Sequence, residues 1–173
     1  MSGAAVEISI SADDARIAAR LRRLQRAVSN LQPALDEIGS RLEASTQRRF
    51  ETEHDPEGAR WPPSERADLE SGQTLTDTAR LRQSITRHVR EDAVAVGTNV
   101  QYAAIHQLGG ETGPRVIRPK RKKALFWPGA QHPVKEVRHP GSSVPKRAFL
   151  GVSNSDRAAI LRIVRRHIAE AVT

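Results

Sequence analysis

Apolar residues keep a helical spacing in only three stretches of this chain, and these lie toward its two ends. Ile17, Leu21, Leu24, Val28 and Leu31 recur at intervals of three and four, with arginines at 16, 20, 22, 23 and 26 on other faces. Leu35, Ile38, Leu42 and, after a polar stretch, Phe50 continue the pattern behind Pro33. A proline's missing N–H is harmless in the first turn of a helix. Near the end Ile160, Val164 and Ile168 repeat the spacing behind Asn154, Ser155 and Asp156 as candidate caps, with Arg157, Arg162, Arg165 and Arg166 outward. Such intervals mark one face of a 3.6-residue turn. The pattern predicts three amphipathic helices with inward stripes. Ahead of them Val6, Ile8 and Ile10 alternate with Glu7 and Ser9, which predicts a short strand, and Ser11 or Asp13 can cap the first helix.

The chain between the helical ends has a different texture. Residues 52–75 hold no period and carry Pro62-Pro63 and several turn formers, so they read as a long loop, with Trp61 pinning it to the body. ARLRQSI (79–85) reads as a short helix capped by Thr76 or Asp77. ITRHV and AVAVGT flank Arg90-Glu91-Asp92 as a β-hairpin with a three-residue turn. In YAAIHQLGG (102–110), Tyr102, Ile105 and His106 share one face of a short helix, which Gly109 and Gly110 end. That helix is expected to lock, through Tyr102, His106 and Gln107, against the hairpin. VIRP, ALFWP and VKEV then give strand-like pieces broken by proline, an extended β-arm over 111–147. The fold class is α+β: one domain, 1–173, with a small antiparallel sheet packed by the N-terminal and C-terminal helices.

Charge is concentrated in that arm. Between Arg115 and Arg147 ten Lys and Arg face one carboxylate, Glu136, an excess above the whole chain's +8. Lys120, Arg121, Lys122 and Lys123 form its centre, expected at the arm's turn, as a contact for a polyanion or for another subunit. Phe126 and Trp127 follow. Neighbours on a strand point to opposite faces. One ring is therefore expected on the body and the other on a neighbouring subunit.

Catalytic signatures do not assemble. No P-loop, dinucleotide fingerprint or nucleophile elbow occurs, and no two of the six His stand in a metal-binding spacing. His132 and His139 with Glu136 offer the weak makings of a zinc site. The chain has no Cys, which excludes disulfides and thiolate metal sites. No window reaches the roughly 18 apolar residues a membrane span needs, and MSGAAVEISIS lacks the features of a signal peptide. The reading is a non-enzymatic protein without cofactor, made in the cytoplasm. Apolar residues make up 38 % and aromatics 3 %, which predicts a modest, aliphatic core.

Five segments in order carry a resemblance: DPEGARWPP (55–63), LTDTARLRQSI (75–85), VGTNVQYAAIHQLGG (96–110), VRHPGSSVPKRAFLGVS (137–153) and the terminal amphipathic helix. Together they resemble the phage virion morphogenesis family from about Leu35 onward. Where that family often carries Arg-Pro before Phe-Leu-Gly, this chain has Arg147-Ala148. The resemblance implies a structural protein of the virion's head–tail junction, a neck or tail-completion subunit that joins tail to DNA-filled head. It further implies a homo-oligomeric ring, hexameric by family resemblance, with neighbouring neck and tail proteins as partners and DNA in the channel. A basic DNA-binding accessory factor of phage assembly is the alternative.

Overall fold

The structure is a computed structural model that describes residues 14–120, 122–127 and 130–172. The strand expected at 6–10 and the caps Ser11 and Asp13 lie outside them, as does Arg121. In chain order the elements are α1 (Asp14–Ser29), α2 (Gln32–Thr52), α3 (Glu65–Glu70), α4 (Arg80–Gln83), β1 (Thr86–Val89), β2 (Val94–Gly97), α5 (Ala103–Leu108), β3 (Gly110–Thr112), β4 (Arg115–Ile117), β5 (Val137–His139), β6 (Ser142–Val144) and α6 (Asn154–Val172). The fold is α+β. Among the described residues the strands form three antiparallel two-stranded ladders, β1–β2, β3–β6 and β4–β5, rather than one sheet.

The 21-residue α2 is the spine. Pro33 lies in its first turn, and Glu53 ends it in a left-handed conformation at φ 56°. The hairpin β1–β2 and α6 both pack on α2, and α1 lies along α6. Gly39 makes the hairpin's approach possible. A Cβ there would stand 2.7 Å from Val94 Cγ2 and 2.9 Å from Arg87 Cδ. Val89 pairs with Val94, so the hairpin turn spans 90–93, closed by Arg90 N–H donating to Ala93 O at 2.7 Å.

Two apolar clusters fill the interior. Ala34, Ile38 and Ile163 join α2 to α6, while Phe50, Trp61, Leu81, Ile85, Ala103 and Phe149 form the larger one. Phe50 meets the Trp61 ring edge-on at a centroid distance of 5.5 Å and the Phe149 ring at 5.3 Å. The expectation of an aliphatic core is thereby corrected. Few aromatics are present, but a buried ring contributes roughly 150–250 Å², and three of the six converge at one point.

Several local expectations shift. Within 52–75 the structure places α3, whose N-cap Ser64 accepts from Ala67 N–H at 3.2 Å. Neither Thr76 nor Asp77 caps α4, which starts after a left-handed Ala79. The described part of ALFWP, 124–127, forms no strand, only an isolated bridge between Leu125 and Val134. On α1 the stripe residues Ile17, Leu21 and Val28 are exposed, whereas Ala18, Ala19 and Leu24 are half-buried. On α6 the buried face runs Asp156, Ile160, Ile163 and His167, while Val164 and Ile168 are exposed. The wholly buried Asp156 sets that rotation. Among the described residues no helix is long and apolar enough to cross a membrane.

Candidate functional site

The two motifs YAAIHQLGG and KRAFLG are halves of one structure, the root of the β-arm. α5 delivers the outgoing limb. Gly109 is its C-cap at φ 74°, with its N–H on Ile105 O at 2.9 Å, and Gly110 follows at φ 147°. A Cβ on Gly109 would lie 3.0 Å from Lys146 N, so the outgoing limb leaves directly against the returning one. Glycine tolerates both demands, positive φ and close approach, without a steric penalty.

The returning segment 147–151 is held at every residue. Arg147 N–H donates to His106 O at 2.7 Å. Gln107 Oε1 accepts from Phe149 N–H and Leu150 N–H, and its Nε2 donates to Leu150 O. Trp61 Nε1–H donates to Ala148 O at 3.0 Å, so this residue does pin its loop. Arg49 Nη1 donates to Phe149 O at 2.8 Å and to Gly151 O at 3.0 Å. The lock made by α5 therefore closes on 147–150 through Gln107 and the His106 carbonyl, not on the hairpin. Tyr102 contributes only an edge-on ring contact with His106 at 6.0 Å and stays exposed.

Charge is buried here deliberately, and each charge is partnered. Arg49 Nη2 donates to Asp156 Oδ2 at 2.8 Å. The same oxygen accepts from Ser45 Oγ and from the Ser153 hydroxyl and N–H, while Ser153 Oγ accepts from Asp156 N–H. Ser153 and Asp156 form a reciprocal capping box at the start of α6, so Ser153, not Asn154 or Ser155, makes the cap. Asp156 Oδ1 accepts no hydrogen bond and faces Arg41 Nε at 3.7 Å. Burial alone would raise the Asp156 pKa, but the Ser153 and Ser45 hydrogen bonds and Arg49 outweigh it and hold it below the ordinary value. Burial lowers the Arg49 pKa against the upward pull of Asp156.

Arg147 is the second buried guanidinium. Its Nε and Nη2 donate to the carbonyls of Pro62 and Pro63, at 2.6 and 2.9 Å. Burial lowers its pKa. The His106 pKa is lowered by burial and secondarily by Arg147, and its Nδ1 has no hydrogen-bond partner. His106, Tyr102 and Arg147 line a cleft of about 300 Å³ with Arg66, Asp77 and Arg80.

Beyond the root the arm is a two-stranded ribbon. Gly110–Thr112 pairs with Ser142–Val144, Arg115–Ile117 with Val137–His139, and Leu125 bridges Val134. Lys120, Lys122 and Lys123 are exposed on the outgoing limb, ahead of the Leu125 bridge, so the expected position at the turn is corrected. Phe126 and Trp127 follow the bridge, and Ala130 N–H returns to Trp127 O at 3.0 Å. Both rings are exposed, at 67 % and 47 %; neither packs on the body. The zinc triad does not form. Arg118 engages Glu136 at 3.1 Å, and His139 Nδ1 accepts from Gly141 N–H. Among the described residues no group of metal-ligating side chains converges.

Sequence reading named Gln107 as a lock and Asp156 as a cap but not their partners, and it missed Arg49 and the burial of Arg147. An isolated charged or amide residue looks solvated in a sequence. The Ser153-x-x-Asp156 spacing was the signal available for the capping box.

Buried guanidiniums tie together an α+β body from which a charged ribbon extends. The chain belongs to the phage virion morphogenesis family, which its residues 12–169 match. It is 33 % identical over 125 residues to the Mu-like prophage FluMu G protein 2 of Haemophilus influenzae, covering 71 % of this chain and 86 % of that protein. It is also 25 % identical to the putative capsid assembly protein G of Escherichia phage Mu, over 92 % of this chain and 97 % of that one. No solved structure matches the chain. It is a protein of phage virion assembly.

Proposed function

We propose that the protein is a non-enzymatic neck or tail-completion subunit, which assembles as a closed ring, a hexamer, and joins the tail to the DNA-filled head. The observation that carries this reading is the arm. Its lysines 120, 122 and 123 have no ion-pair partner among the described residues, and its two aromatic rings face solvent. A subunit leaves such surface open when neighbours cover it. The family and the two G-type relatives support the virion as the place of work. A basic DNA-binding factor is the second reading, favoured by the same lysines, which suit phosphate contacts.

Electron microscopy of the purified protein and of purified virions tests the proposal. Rings in solution and density for several copies at the head–tail junction are expected. A single copy per virion, or absence from purified particles, overturns it. For the second reading, affinity for free DNA would fall steeply with salt.

A further inference from the structure

The arm's far end and another surface of the same chain are complementary in charge and in apolar character. Residues 51–77 hold eight carboxylates against Arg60 and Arg66 alone. Glu57, Glu65 and Asp68 make no ion pair among the described residues. In their midst Leu69 on α3 is 86 % exposed, more than any other large apolar residue described. The arm's far end presents the counterpart, Phe126 and Trp127 exposed beside unpaired lysines. Among the other exposed apolar side chains described, Ile17 and Leu21 on α1 stand among five arginines, and Leu161, Val164 and Ile168 on α6 stand among Arg157, Arg162, Arg165 and Arg166, surroundings that would repel a basic arm.

We propose that the arm of one copy docks on the α3 ridge of a second copy, with Trp127 and Phe126 seated against Leu69 and the lysines facing Glu65 and Asp68. This rests on the reading of the protein as a self-assembling subunit and names the contact that links the copies. Aromatic anchors supply the buried area, and opposed charge sets register and excludes wrong partners. Arm and ridge are different surfaces, so the contact is head-to-tail. A head-to-tail contact closes into a ring when its rotation permits.

The absence of cysteine makes a direct test possible. Trp127→Cys and Leu69→Cys are purified separately, mixed and oxidised, and the link is read on non-reducing gels, in solution and in particles carrying both variants. A disulfide joining the two variants is expected, with little linking of either alone. A Trp127→Cys sample that links chiefly to itself indicates an arm-to-arm contact and overturns the proposal. Charge reversal gives a second readout. Lys120→Glu with Lys122→Glu and Lys123→Glu should cut the assembled fraction at least about tenfold, since like charges across an interface are strongly unfavourable. Mixing it with Glu65→Lys/Asp68→Lys protein should restore assembly. An intact oligomer without the 69–127 link, and unaffected by charge reversal, overturns this contact and leaves the ring reading standing. A chain that is monomeric in solution and in virions overturns both. Assembly that survives the lysine changes while DNA binding is lost assigns the arm to nucleic acid and also overturns it.

Discussion

The arm's root and its far end lie on one ribbon and use the same residue types in opposite ways. At the root, Arg49 and Arg147 are buried and spend their N–H groups on carbonyls at 149, 151, 62 and 63 and on Asp156. At the far end, Lys120, Lys122 and Lys123 stand in solvent without a carboxylate partner among the described residues. The aromatics divide likewise: Phe50, Trp61 and Phe149 are interior, whereas Phe126 and Trp127 are exposed. Burial makes a charge a structural element because the alternative, an unpaired ion in low dielectric, is costly. Exposure leaves it free to meet a partner. The contrast teaches that the basic count of the arm overstates its free charge. Arg147 belongs to the body, and Arg118 is engaged by Glu136.

Breaking the root should produce the largest effect. Asp156→Ala leaves Arg49 charged and unpaired in the interior and should cost about 3–5 kcal/mol in denaturant unfolding. The matching change at the exposed arm, Glu136→Ala, should stay within about 1 kcal/mol. Equal costs at the two positions would erase the distinction between root and far end.

Gln107→Ala removes acceptor and donor at once and strands the Phe149 and Leu150 backbone groups. A loss of about 2–3 kcal/mol is expected, from groups that each cost about 1–3 kcal/mol when left unsatisfied. Hydrogen exchange at Phe149 and Leu150 should accelerate with it. Unchanged protection there would show that the segment is held without Gln107.

Acidification should weaken the root in two stages. The folded pKa of His106 lies below its ordinary value of 6.5, so the unfolded chain takes up this proton first. Stability from neutral His106 is complete above that value and is lost as pH falls through the folded pKa. The Asp156 pKa is depressed below 3.8, so its contribution persists until the pH falls below that value. Unfolding free energies measured from pH 7 to 3 should decline in both windows, and His106→Gln should flatten only the first. A variant whose pH profile matches the parent's would remove His106 from the account.

The smallest effect on the fold is expected at the far end. Lys120→Gln with Lys122→Gln and Lys123→Gln should change stability by no more than about 0.5 kcal/mol, as exposed substitutions usually do. It should nonetheless lower the yield of joined, infectious particles. A thermal melt and a plaque assay on the same variant separate the two outcomes, and normal infectivity would return the cluster to an ordinary solvated surface.

Local physics was enough for much of this molecule. The apolar intervals around Leu35 to Phe50 and around Ile160 located α2 and α6, because a repeat over many residues outweighs local propensity. Alternating residues around a polar turn located β1–β2, and strand-like pieces broken by proline pointed to an extended arm in which the basic excess is concentrated. Five ordered motifs pointed to the virion morphogenesis family. The six-residue α3 escaped, since fewer than two turns leave no period to detect. Which face of α6 turns inward, and which arginines are buried, depended on contacts across about a hundred residues of chain. Arg49 meets Phe149 and Asp156 only once α2, the arm's root and α6 are brought together. A sequence states that a guanidinium is present; the tertiary structure alone supplies the carbonyls and the carboxylate that let it be buried.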